Sequence, residues 1–186
     1  DFWAARAAET FSSADGHIDR GIFSIYFFNL VSLRPGEGVF QDAGLPHAYL
    51  EGQNVEIMAN SDNVLRGGLT PKHIDVPELM KNIRFEETEP HVLVNDPLPD
   101  TEHVYRTPAP DFLLSRLSLT KGHQHHFHAA TAQIMLVTSG SVRLVGQSRS
   151  FVMQQGEAAL ATSGCDCVAE AIDPATIYRA GVPVHS

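Results

Sequence analysis

The sequence predicts a mainly β chain, built from two similar antiparallel barrel or sandwich units with a few short helices. Three observations carry that prediction. Short apolar and β-branched runs follow one another closely through the second half, with turn residues between them. Only a few short windows have helical character. A degenerate repeat sets Gly36-Glu37, Gly44 and His47 against Gly156-Glu157, Gly164 and Cys167 at a constant offset of 120 residues.

The bulk composition agrees. With 186 residues, 43% hydrophobic and 19% charged, the chain suits one large or two small globular domains. No apolar run approaches the length of a membrane span. A net charge of −9 argues against non-specific binding to nucleic acid or anionic membranes, although a few local basic groups still suffice for a small phosphorylated ligand. The opening DFWAARAAETF has neither a basic n-region nor an apolar h-region, so no signal peptide is expected. It also lacks an initiator Met, which suits a fragment or a processed product. Cys165 and Cys167 sit too close to staple a long loop and fit a reducing compartment.

Taken in order, residues 2–11 are Ala-rich and predict the end of a helix. SSADGH is a turn. Residues 21–33, GIFSIYFFNLVSL, are aromatic and β-branched and predict a buried strand or two. Arg34-Pro35-Gly36-Glu37 is a tight turn, and Gly38 to Phe40 begins another strand. Ser61-Asp62-Asn63 is placed to cap a short helix ending at Gly67-Gly68. Asp75 caps a second helix, with Val76, Leu79 or Met80, and Ile83 on one face. Residues 90–110 hold five of the eleven prolines and predict a linker. Strand-like runs follow at 112–119, 132–140, 141–145, 150–153 and 157–161. The domain division expected is 1–89, a 90–110 connection and 111–186.

The window His47–Lys72 concentrates polar residues that packing does not require. His47 is either a metal ligand or a turn histidine held by hydrogen bonds. Asp62 and Arg66 are four apart, which gives either a surface ion pair or an arginine placed to stabilise developing oxyanion charge. Lys72, after Thr70-Pro71, is a phosphate-binding point charge or an ordinary solvated lysine. Glu56 alternates with Val55 and Ile57, so it faces solvent or a cavity rather than the core.

The repeat resembles the second motif of cupins, Gly, five residues, Pro, any, Gly, two residues, His, with Asp42 and Thr162 in place of the Pro. Two copies imply double-stranded β-helix (jelly-roll) units. His126-x-His128, Gln133 and Gly140 resemble the first cupin motif with Gln for Glu. With Cys167, that cluster is either a second metal site or a polar loop in a cupin that has lost its metal.

The stretch HAYLEGQNVEIMANSDNVLRGGLTPK, with GIFS and PGEGVF before it and HIDVPEL after, is similar to the C-terminal signature of type I mannose-6-phosphate isomerases (phosphomannose isomerases). The resemblance is dense over about 20–86. It implies zinc-dependent aldose–ketose isomerisation of mannose 6-phosphate and fructose 6-phosphate through an enediol, in carbohydrate metabolism and GDP-mannose biosynthesis in the cytoplasm. It also implies that His47 is one zinc ligand. Arg66 and Asp62 would then be catalytic, with Tyr49, Glu56 and Lys72 lining the sugar-phosphate pocket. The family's other zinc ligands, a Gln-x-His pair and a Glu, belong to an N-terminal half. This chain is therefore expected to be the C-terminal portion of such an enzyme, inactive alone, with neither nucleic acid nor membrane as partner and an oligomeric state left open. The rival reading is a non-catalytic sugar-binding or regulatory cupin module.

Overall fold

The computed structural model describes residues 2–12, 15–61, 63–94 and 98–183. It divides into two compact units: Asp1–Leu33, Val39–Asn54 and Asn60–Val92 form the first, and Arg34–Gly38, Val55–Ala59 and Leu93–Ser186 the second. No described helix is long and apolar enough to cross a membrane.

The first unit holds the helices. α1 (Phe2–Phe11) buries Ala4 and Ala7, which are three residues apart and share a face. A 3₁₀ turn (Arg20–Phe23) runs directly into α2 (Ser24–Phe27). The aromatic run 21–33, expected as buried strand, is thus helical at its start, and 28–33 joins no strand. The reason is local: the Asp19 carboxylate accepts the Gly21 amide at 2.7 Å and caps the helical turn. Phe23, Phe27 and Leu30 are exposed rather than buried. α3 (Val76–Asn82) forms as expected behind Asp75, whose carboxylate accepts the Glu78 amide at 3.0 Å. Its predicted apolar face is only partly covered, since Val76 and Met80 stay exposed. The short helix expected to end at Gly67-Gly68 is absent, because residues 63–67 are irregular. A segment this short cannot offset the cost of helix nucleation, and it ends in two poor helix formers.

The strands are β1 (Gly38–Val39), β2 (Val92–Leu93), β3 (Glu102–Tyr105), β4 (Leu113–Leu119), β5 (Gln124–Ala129), β6 (Gln133–Ser139), β7 (Ser141–Val145), β8 (Ser150–Gln154), β9 (Ala158–Ala161), β10 (Cys165–Ala171) and β11 (Ala175–Gly181). β1 and β2 pair as a two-stranded sheet. The rest make a four-stranded sheet, β5-β10-β7-β8, and a five-stranded sheet, β3-β4-β11-β6-β9. The mainly β, antiparallel jelly-roll expectation holds, and the proline-rich stretch 90–110 contributes β2 and β3.

Alternation builds the core of the second unit. In β4, Ser115, Leu117 and Leu119 are buried; in β10, Cys167, Ala169 and Ala171 are, while Asp166 faces out. Val137, Ile177, Val142 and Met135 fill the space between the sheets. The β6–β7 turn is closed by Gly140 at φ 72°, where any Cβ would overlap the Pro174 carbonyl.

The repeat is visible in the hydrogen bonds. The Glu37 amide donates to Arg34 O, and the Glu157 amide to Gln154 O, both at 3.0 Å. Each glutamate returns its carboxylate to the same turn, Glu37 to the Arg34 amide and Glu157 to the Gln154 amide, both at 2.7 Å. The next turn repeats too: the Leu45 amide donates to Asp42 O at 3.4 Å, and the Cys165 amide to Thr162 O at 3.2 Å. The offset of 120 residues therefore marks a duplicated pair of turns as well as a duplicated spelling.

Candidate functional site

His47 follows the Asp42–Leu45 turn and is exposed. Its Nδ1 lies 3.0 Å from the Leu45 carbonyl. A carbonyl only accepts, so Nδ1 is the donor in this hydrogen bond, and in the neutral ring that leaves the lone pair on Nε2. That is the arrangement in which a backbone oxygen orients a metal-binding imidazole. The Tyr49 ring packs edge-on against His47, with ring centroids 6.1 Å apart.

The arginine loop is fixed by a residue that sequence reading overlooked. The Asp19 carboxylate, besides capping the 3₁₀ turn, accepts the Leu69 amide at 3.0 Å. Leu69 is held at φ 49°, a left-handed conformation rarely adopted by a branched side chain. Gly68 lies against Gly21 so closely that a Cβ on either would come within 2.8–2.9 Å of the other's Cα. Arg66, half-buried, thus sits at the edge of a loop whose backbone is held by one carboxylate and a glycine–glycine contact. The signal available in the sequence was an Asp two residues before a glycine that opens an aromatic run, the pattern of a helical cap.

The remaining predicted residues are placed unevenly. Lys72 is exposed, and its amide donates to Thr70 Oγ1 at 3.2 Å, closing the Thr-Pro-Lys turn. Glu56 is exposed on an extended segment in which Val55, Ile57 and Ala59 are half-buried, as the alternation predicts. Asp62 lies outside the described residues. The structure brings His47 and Tyr49 together, while Glu56 falls in the second unit. Among the described residues, no three His, Cys, Asp or Glu side chains are grouped to hold a metal.

The histidine cluster is corrected by register. It forms β5 rather than a loop. Phe127 pairs with Cys167, so these two share a face, and His126 and His128 point the opposite way. A metal held jointly by His126, His128 and Cys167 is excluded. His128 instead pairs with Asp166 at 2.7 Å on the exposed face. The inward histidine is His125, 3.7 Å from Glu102. Glu102 also accepts from Ser115 and from Arg179, the latter at 2.7 Å, and the Arg179 guanidinium stacks on Phe127 at 4.7 Å. Burial pushes the Glu102 carboxyl up, but the His125 and Ser115 hydrogen bonds and the Arg179 charge outweigh it and hold the group below its usual range. Burial, then the neighbouring Cys165 thiol, push the Cys167 thiol up to about 11.

Comparison with known proteins puts this geometry in context. No family model matches the chain. It is 40% identical over 142 residues to the mannose-6-phosphate isomerase of Escherichia coli, covering 76% of this chain and 36% of that protein. It is 36% identical over 166 residues to mannose-6-phosphate isomerase 2 of Arabidopsis thaliana, covering 88% and 38%. Its fold matches a crystal structure of the Salmonella typhimurium mannose 6-phosphate isomerase bound to fructose 6-phosphate and zinc, with a TM-score of 0.78 and 30% identity over 97% of this chain and 49% of that one. The chain is similar to these isomerases in sequence and fold, and it spans about a third of the curated relatives and half of the solved chain.

Proposed function

We propose that this chain is the C-terminal part of a zinc-dependent mannose-6-phosphate isomerase, an aldose–ketose isomerase acting on mannose 6-phosphate and fructose 6-phosphate. In this reading residues 1–89 belong to the catalytic cupin and 111–186 form the C-terminal cupin-like domain. The observation that carries it is His47: its Nδ1–H is committed to the Leu45 carbonyl, which leaves Nε2 as a ready ligand. The relatives' names and the zinc and fructose 6-phosphate of the Salmonella structure support the same assignment. Bound zinc would act as a Lewis acid on substrate oxygens.

The roles of the chain's own residues follow from their chemistry. Isomerisation passes negative charge onto the oxygens at C1 and C2 as a proton moves between the carbons. Arg66 supplies a fixed cation for that charge, and the Asp19 carboxylate, acting through the loop backbone, keeps it preorganised. Asp62 is assigned as a second catalytic residue, as the resemblance implies. Lys72 offers a point charge for the phosphate, and Tyr49 and Glu56 are each assigned to substrate binding, as the resemblance implies. The site is cytoplasmic in this reading.

The test uses the complete enzyme, including the polypeptide that supplies the other ligands. Arg66→Ala should cost on the order of 10²–10³ in kcat, with bound zinc unchanged by metal analysis. A fully active Arg66→Ala enzyme refutes the assignment. The 186-residue chain by itself should bind zinc weakly and show no turnover; an active, zinc-replete preparation of it sinks that part of the proposal.

A further inference from the structure

The two thiols are unused by the function proposed above. Both cysteines are free, Cys165 half-exposed and Cys167 buried. They lie two residues apart on β10 and therefore point to the same, inner face. Their sulfurs are 3.3 Å apart, in contact without being bonded. Gly146 stands beside Cys165, and even a Cβ there would keep 3.7 Å from its sulfur, so no side chain from that position shields the thiol.

We infer that Cys165 and Cys167 are a redox modification site: a dithiol that a hydroperoxide converts reversibly to a disulfide across one pleat of β10. A two-residue step along a strand spans about 6.6 Å. That lies near the upper end of the roughly 4.4–6.8 Å between Cα atoms that a disulfide bridges. Closing the bond requires rotation of both side chains. The two Cβ atoms, on one face of an extended strand, are spaced about like the Cα atoms, whereas a disulfide holds them roughly 3.5–4.5 Å apart, so closing the bond also requires the backbone at 165–167 to fold out of the extended conformation at that end of β10. The residual strain makes the bond oxidising and easily reduced, the property of regulatory rather than structural disulfides.

The chemistry balances with a hydroperoxide as the only co-reactant. The more accessible Cys165 thiolate attacks the peroxide O–O bond, giving a sulfenic acid and, from hydrogen peroxide, one water. The Cys167 sulfur then attacks the Cys165 sulfur, the S–O bond breaks, and a second water leaves with the Cys167 proton. Two thiols are oxidised by two electrons and one peroxide is reduced. The buried Cys167, with its raised pKa, is the poorer first nucleophile, which assigns attack to Cys165 and resolution to Cys167. Asp166 stands between the two cysteines, so closure also loads its hydrogen bond to His128.

The experiment treats the intact chain with a small excess of hydrogen peroxide, alkylates the remaining thiols and reads intact mass. The expected product has lost two hydrogens, takes up no alkylating agent, and recovers both thiols on dithiothreitol treatment. In Cys167→Ser, Cys165 should be trapped as a sulfenic acid by dimedone. In Cys165→Ser, Cys167 should stay a thiol at the same dose. Three results overturn the proposal: two alkylatable thiols after treatment, sulfinic acid on Cys165 with Cys167 still alkylatable, or a disulfide-linked dimer. The wild-type readout decides the question even if a variant fails to fold.

Discussion

The turn pair at residues 34–47 and its counterpart at 154–167 make the same backbone hydrogen bonds and the same glutamate-to-amide bond, yet they end differently. The first delivers His47, exposed, with a free ring nitrogen; the second delivers Cys167, 5% exposed, its sulfur against another thiol. The shared glycines and glutamate encode a turn. Chemistry enters only with the residue at the end of it and with what surrounds that residue. In the second copy the surroundings are a closed sandwich with its own neutralised ion pair, Glu102 with Arg179, where an isolated charge would be costly.

Three experiments break or sharpen that comparison. The largest effect should come from the sandwich itself. Ile177→Ala empties a site that is 2% exposed between the sheets. It should cost about 2–5 kcal/mol, read as lost hydrogen-exchange protection of β6 and β11, while the α3 amides keep theirs. Equal loss in α3 would show that the two units unfold as one.

The next effect separates the two turns. Gly36 and Gly156 sit at φ 95° and 87°. Alanine at Gly156 meets nothing within 4 Å, so it should cost only the left-handed backbone strain, about 1–2 kcal/mol. Alanine at Gly36 would also overlap the Arg116 guanidinium, which covers that turn. Swinging that flexible side-chain end aside should add roughly 0.5–1.5 kcal/mol. Equal costs in denaturant titrations would mean that Arg116 does not clamp the first copy.

The smallest effect is a pH dependence. The Glu102 carboxyl is held below its unfolded value, so folding gains stability from its ionised form above that value. The gain is lost as pH falls through the folded pKa. Stability of the second unit should therefore decline on acidification through the carboxylate range, and Glu102→Gln should flatten that part of the curve. An unchanged slope in the variant would remove Glu102 from the account.

How much of this was legible depended on how each strand makes its inner face. β4, β6 and β7 put Leu, Val or Met inward and read clearly as strands. β10 puts Cys167, Ala169 and Ala171 inward, and small residues give almost no hydrophobic signal. β5 alternates histidines outward with His125 and Phe127 inward, so it reads as a polar cluster until pairing with β10 fixes its faces. The run 21–33 failed the other way. Continuous apolar sequence carries no period, and a cap from Asp19 tipped its start to helix. At the candidate site, His47 and Arg66 draw attention because a polar window stands out, and Tyr49 enters through the resemblance; the structure places Tyr49 against His47. Asp19 was missed because its partner Leu69 is fifty residues away, a separation that no local pattern reports.

That separation also has a consequence in time. At a synthesis rate of roughly 5–20 residues per second, Asp19 emerges some ~2.5–10 s before Leu69. Its carboxylate can cap the 3₁₀ turn at once, but the arginine loop waits until the whole intervening segment has been made. During vectorial synthesis the early helical turn is therefore the template, and the Arg66 loop is set against it later.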